Sequence, residues 1–136
     1  AQLGRWLATC LRPGDTVLLQ GPIGSGKSHL ARSVIQSRLG RLEDVPSPTF
    51  TLVQTYGEGA DEIWHADLYR LSHPDEVIEL GLEDALGRAI CLIEWPERLG
   101  WLWPNALRLH INVPADGPRR LTATVPPSWK DRWPFP

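Results

Sequence analysis

The stretch TVLLQGPIGSGKS, residues 16–28, decides the fold. Thr16–Gln20 is short, apolar and β-branched at its start, the composition of a buried strand. Gly21–Ser28 then fits the phosphate-cradling pattern G-x-x-x-x-G-K-[ST] at every fixed position. Gly21, Gly24 and Gly26 permit positive φ and close approach of the backbone, so successive N–H groups can point at one anion. The expected phosphate-binding residues are Gly21, Pro22, Ile23, Gly24, Ser25, Gly26, Lys27, Ser28 and His29, although Pro22 has no N–H to give. Lys27 is expected to bridge the β- and γ-phosphates and Ser28 to ligate Mg²⁺. A chance match occurs in roughly one chain of this length in a few hundred. The dinucleotide pattern G-x-G-x-x-G fails, because His29 stands where its last glycine belongs.

Outward from this stretch, the pattern predicts helices alternating with strands. Leu3, Trp6, Leu7, Cys10 and Leu11 recur at helical spacing, and Pro13-Gly14-Asp15 makes a turn into the first strand. After the loop, Leu30, Ala31, Val34 and Ile35 form a helical face that Gly40 ends. Strands are predicted at 51–56, 62–66, 89–93, 107–113 and 120–125. Between them SHPDEVIELG reads as a short helix with Ser72 accepting the N–H of Asp75 and Gly81 as the stop. Leu82–Leu86 continues as another. The tail PPSWKDRWPFP, about 126–136, has no periodicity and is predicted to lie irregularly on the surface. The alternation implies an α/β sheet, and 136 residues suit one domain over 1–136.

A phosphate loop alone hydrolyses nothing; the reaction also needs a metal-associated carboxylate and a group that positions the attacker. Glu94 ends AICLIE, an apolar strand closing on an acid. Asp67 ends EIWHAD in the same manner. Ligands gather at the carboxyl ends of strands in open α/β sheets, so both acids are expected to converge on Lys27, as catalytic groups and, with Ser28, as metal ligands. Thr49, in Ser47-Pro48-Thr49, presents a hydroxyl just before a strand, where a loop threonine can act as a γ-phosphate switch. His65 alternates with Asp67 along one strand and reads as a structural histidine. Arg119-Arg120 reads as a solvated pair.

GPIGSGKS (21–28), VPSPTFTLV (45–53), HADLYRL (65–71) and LIEWPERLG (92–100), in this order and at these separations, resemble the TsaE (YjeE) family, the P-loop ATPases of bacterial tRNA threonylcarbamoyladenosine biosynthesis. The resemblance runs from about Leu3 to Val125. It implies a three-layer P-loop NTPase-like α/β fold with a mixed, mostly parallel central sheet. It also implies an Mg²⁺-dependent ATPase turning ATP into ADP, weak without partners. Lys27 and Ser28 would hold phosphates and Mg²⁺, Thr49 would be switch-like, and Asp67 and Glu94 would serve hydrolysis through metal or water. Tyr69, Arg70 and Trp95 match motif positions. Ser28 replaces the family's common Thr, and Pro22-Ile23 stands where Asp-Leu is frequent. The implied partners are TsaB and TsaD as a heterodimer, reset by ATP turnover, with tRNA contacted indirectly and the cytoplasm as location.

Composition narrows the alternatives. A net charge of −2 with dispersed Arg and Lys argues against a chain that grips nucleic acid alone. No apolar run approaches the ~18 residues that cross a bilayer. Cys10 and Cys91 match no metal spacing and read as reduced and buried. Seven tryptophans are many for this length; core packing and a partner-facing patch are the two readings. A small-molecule or nucleoside kinase would need a lid with clustered arginines, and a GTP-binding signalling domain would show Asn-Lys-x-Asp. The sequence has neither.

Overall fold

A computed structural model describes residues 2–40, 52–100, 103 and 105–133. Its centre is β1 (Thr16–Gln20), whose run Val17-Leu18-Leu19 is buried on both faces, as strands covered by two helical layers must be. β1 pairs in parallel with β4 (Ile90–Glu94) on one flank and β5 (Leu107–Asn112) on the other. β3 (Ile63–Asp67) adds in parallel to β4, while β2 (Val53–Tyr56) and β6 (Arg120–Thr124) close the two edges antiparallel. The order is β2-β3-β4-β1-β5-β6. The fold is thus the expected mixed, mostly parallel α/β sheet, and the observed strands fall within two residues of the predicted limits. Thr51 and the segment Ser47-Pro48-Thr49 lie outside the described residues.

Period-2 alternation splits the core. Val17 and Leu19 face α1 (Gln2–Cys10) and α2 (Lys27–Leu39), packing with Leu7, Leu11, Ala31, Val34 and Ile35. Leu18 faces the opposite layer, where α3 (Asp75–Glu79) and α4 (Leu82–Ala85) bring Val77, Leu82 and Ala85 together with Leu99 and Trp103. The two helices α1 and α2 touch so closely at Gly4 that a Cβ there would run into the Ser33 side chain. Arg38 of α2 donates to the carbonyls of Ala8 and Leu11 at 2.8 and 2.9 Å, satisfying the C-terminal end of α1. Gly40 ends α2 in the left-handed region with its N–H on Gln36 O.

Three expectations need correction. The tail is no surface coil: Pro127–Trp129 forms a 3₁₀ turn and Trp129 is completely buried in the core under α1 and α2. Arg132 fixes that turn, reaching Asp15 at 2.6 and 3.1 Å and the Cys10 carbonyl at 2.9 Å, with its guanidinium 4.0 Å from the Trp129 ring. Before α3 the capping runs the other way round: Glu76 Oε1 accepts from Ser72 N–H, Ser72 O–H and His73 N–H, while the Asp75 N–H goes to His73 Nδ1. Cys91 is buried, its thiol pushed up to about 12 by desolvation, whereas Cys10 is only half-buried. Both cysteines are free thiols.

Candidate active site

The loop after β1 has the geometry its glycines allow. Gly21 takes φ 145°, and a Cβ there would collide with the Ile111 carbonyl and Ser25 Oγ, so only glycine fits. Gly24 (φ 79°) and Gly26 (φ 111°) sit in open space but in left-handed backbone that other residues adopt at a cost. The loop closes on itself through Ser25 N–H to Pro22 O at 3.1 Å and runs directly into α2, whose start at Lys27 brings the positive end of the helix dipole to the same place. The cavity of about 350 Å³ in front is lined by residues 23–29 together with Arg32, Asp67, Tyr69, Glu94 and Trp95. Pro22 and Gly21 contribute carbonyls rather than amides to what surrounds Lys27.

Lys27 is buried, and its ammonium donates to Gly21 O at 2.7 Å, Pro22 O at 2.9 Å and Ser25 Oγ at 3.5 Å. The Trp95 ring covers it at 4.3 Å. Burial lowers the Lys27 pKa, an effect opposed by the charges of Glu94, Asp67 and Glu97. Trp95 reaches this position through a left-handed backbone (φ 59°, ψ 50°) immediately after β4, a costly conformation for a bulky residue. Tyr69 packs on the outer side of Trp95, with ring centroids 4.9 Å apart.

The strands deliver the acids. Parallel register sets Leu19 opposite Glu94 and Glu94 opposite Asp67, so the ends of β1, β4 and β3 are level and both carboxylates open on the mouth of the loop. Ser28 Oγ donates to Glu94 Oε1 at 2.7 Å, and Glu94 Oε2 lies 2.6 Å from His65 Nε2. His65 and Glu94 are both buried. A carboxylate oxygen accepts, so Nε2 is the donor in this pair, and Nδ1 has no partner among the described residues. Asp67 is half-buried, accepts the Tyr69 N–H at 3.1 Å, and has its pKa raised by desolvation.

These donors suit a hard divalent cation. A hydroxyl and a carboxylate oxygen are already in contact, a second carboxylate is one strand away, and among the described residues no three His, Cys, Asp or Glu cluster into a complete cage. Mg²⁺ is held in this way, by one or two carboxylates with water and phosphate oxygens completing its shell.

A family model described as "Threonylcarbamoyl adenosine biosynthesis protein TsaE" matches residues 1–121. The chain belongs to the TsaE family. Relatives carrying the name tRNA threonylcarbamoyladenosine biosynthesis protein TsaE include one from Rickettsia conorii, 41% identical over 91% of this chain and 71% of its own length. One from Treponema pallidum is 33% identical over 90% of both. The solved structure of YdiB from Bacillus subtilis superposes with a TM-score of 0.71 at 26% identity, covering 96% of this chain and 80% of that one. Membership carries with it the P-loop fold, nucleotide binding and a place in tRNA threonylcarbamoyladenosine biosynthesis. Among the described residues no helix is long and apolar enough to cross a membrane.

Of the residues singled out in the sequence, the TsaE fold gathers Ile23–His29, Asp67 and Glu94 at one mouth, with Tyr69 and Trp95 beside them, whereas Gly21 and Pro22 do not line the cavity and meet Lys27 through their carbonyls. Thr49 lies outside the described residues. His65 is the buried, hydrogen-bonded histidine expected, and its partner is Glu94 itself. Arg119 and Arg120 are exposed, as expected of a solvated pair, and Arg119 also donates to the Gly24 carbonyl at 3.2 Å. The i, i+2 spacing of His65 and Asp67 already put the histidine level with the site. Nothing local marks Arg119, because its partner is 95 residues away.

Proposed function

We propose that this TsaE-family chain is an Mg²⁺-dependent ATPase whose turnover resets a TsaB–TsaD heterodimer, touching tRNA only through that complex in the cytoplasm. The observation that carries the reading is the 2.7 Å bond from Ser28, on the loop, to Glu94, at the end of β4. It ties the residue type that ligates a nucleotide's metal to a strand-end acid at the mouth of an amide-lined loop.

In this reading the amides between Ile23 and His29 hold the phosphate oxygens, and the Lys27 ammonium leaves the Gly21 and Pro22 carbonyls to meet the outermost ones. Ser28 and Glu94 would hold Mg²⁺, with Asp67 beside them; the metal would neutralise charge on the phosphates. His65 fixes the Glu94 carboxylate, so one of its oxygens stays turned toward Ser28. Asp67 is the better proton acceptor: it is half-exposed, its raised pKa marks a carboxylate poorly stabilised in its charged form, and the Tyr69 N–H engages just one of its oxygens. It takes a proton from water as the new O–P bond forms and the bond to the ADP oxygen breaks. Thr49 acts from its loop as the sensor of the terminal phosphate. Trp95 and Tyr69 shield the ammonium from solvent.

The test is phosphate release from ATP and Mg²⁺ with and without purified TsaB–TsaD. Release is expected to rise when the pair is added and to vanish in Lys27→Ala. Absence of stimulation, with phosphate appearing instead on an added nucleoside or metabolite, would make the chain a kinase.

A further inference from the structure

The C-terminal segment builds a trough of about 930 Å³ that no step above uses. Leu3 of α1 lines it, with Leu121, Ala123 and Val125 at every second position along and just past β6. Lys130 and Trp133 complete it beyond the Pro127–Trp129 turn. Of these six, only Leu3 and Leu121 fall within the stretch that matches the family. Leu3, Ala123, Val125 and Trp133 rest on the core between the sheet and α1 and α2, and Leu121 is 40% exposed on the edge strand. The wall is held in place, because Trp129 is buried behind it and Trp133 meets Trp6 of α1 edge-on, with ring centroids 5.4 Å apart. Lys130 is the sole charged side chain among the described residues of the trough. Its ammonium makes no hydrogen bond or ion pair with a described residue.

We propose that this trough binds a free apolar acid, its hydrocarbon body lying against Leu121, Ala123, Val125 and Trp133 and its anionic group meeting Lys130. The walls select the body and the ammonium selects the sign. A lone cation beside apolar walls attracts a ligand with one negative charge and repels a cationic amphiphile. The volume lies within the range of small-molecule sites, roughly 300–1,000 Å³, which are likewise apolar with few polar groups. Side chains stand perpendicular to a sheet, so a trough lined by alternate residues of β6 lies over the face of that strand. A protein strand pairing with β6 would extend the sheet in its own plane and leave the trough unfilled. Walls already in place also spare a ligand the cost of ordering them. The inference stands apart from the ATPase reading, since no residue of the trough lines the phosphate cavity.

Calorimetry of the full chain with laurate and with dodecyltrimethylammonium, a cation of the same chain length, reads the two selections separately. Both probes are kept below their micelle concentrations. Laurate is expected to bind at one site per chain, about tenfold or more tighter than the cation. Lys130→Ala should weaken laurate about three- to fivefold, the loss of one exposed charge pair, and narrow the gap to the cation. Leu121→Glu sets a carboxylate in the trough at a partly exposed position and should weaken laurate about tenfold or more. The absence of laurate binding overturns the proposal, as do equal affinities for the two amphiphiles or a laurate affinity unchanged in Lys130→Ala. A wild-type chain that sediments as a dimer and becomes a monomer in Leu121→Glu would give the trough to a second copy, which also overturns it.

Discussion

Asp67 shows how a single residue is placed against its own stability. It ends a strand whose neighbour ends in Glu94, and it is half out of water, so desolvation, with Glu94 adding to it, raises its pKa above 3.8. The folded chain therefore holds this proton more tightly than the unfolded chain does. Stability from this group is present at low pH and falls as pH rises from about 4 through the raised value. Asp67→Asn keeps an acceptor for the Tyr69 N–H and cannot ionise. Its Tm should exceed that of the wild type by roughly 1–3 °C at pH 7, with the gap closing toward pH 4. Melting curves at the two pH values check this, and an equal gap at both would refute the assignment. Phosphate release should fall in the same variant, the usual exchange of stability for function. The residue types here were legible because an apolar strand closing on an acid is a local pattern. The His65–Glu94 bond was not, since it needs the register of β3 on β4, and no single strand contains that.

At the scale of elements, the sequence was most readable where periodicity and punctuation agree. The run Val17-Leu18-Leu19, the glycines of the loop and Gly40 fixed β1, the turn and both ends of α2. It was least readable at the C-terminal segment. Four prolines and scattered charges there suggest coil, but Arg132 ties the segment to Asp15, 117 residues away. Ser72 and Glu76 could each have played the cap, and the longer glutamate side chain collects three donors where the serine could take one. The buried segment carries weight. Trp129 fills the layer beneath α1 and α2 with no exposure, so Trp129→Ala should cost about 3–5 kcal/mol, a large share of a domain's typical stability. Lys130→Ala, next in sequence and exposed, should stay within about 0.5 kcal/mol. Urea unfolding midpoints compare the two; equal, small losses would mean that the segment is not part of the core.

Across the whole molecule, the sheet order places every contributor at one edge of the parallel strands, so occupancy of the site and stability of the fold are linked. The loop follows β1, Glu94 ends β4 and Asp67 ends β3. A ligand bridging these pieces binds only the folded chain, because unfolding scatters them. At a hundredfold excess over Kd such a ligand adds about 2.7 kcal/mol. For a chain of 136 residues this corresponds to an upward shift in Tm of roughly 8–12 °C. ATP with Mg²⁺ should produce that shift in the wild type and in Asp67→Asn, which loses chemistry but keeps the amides, Lys27 and Ser28. Lys27→Ala should lose most of it, because the mutation removes the one ammonium that is buried within the loop and poised to meet phosphate. Thermal melts of the three proteins, each with and without ATP and Mg²⁺, separate binding from turnover. A full shift in Lys27→Ala would mean that the nucleotide is held elsewhere, and loss of the shift in Asp67→Asn would make that carboxylate a binding group rather than the acceptor of a proton.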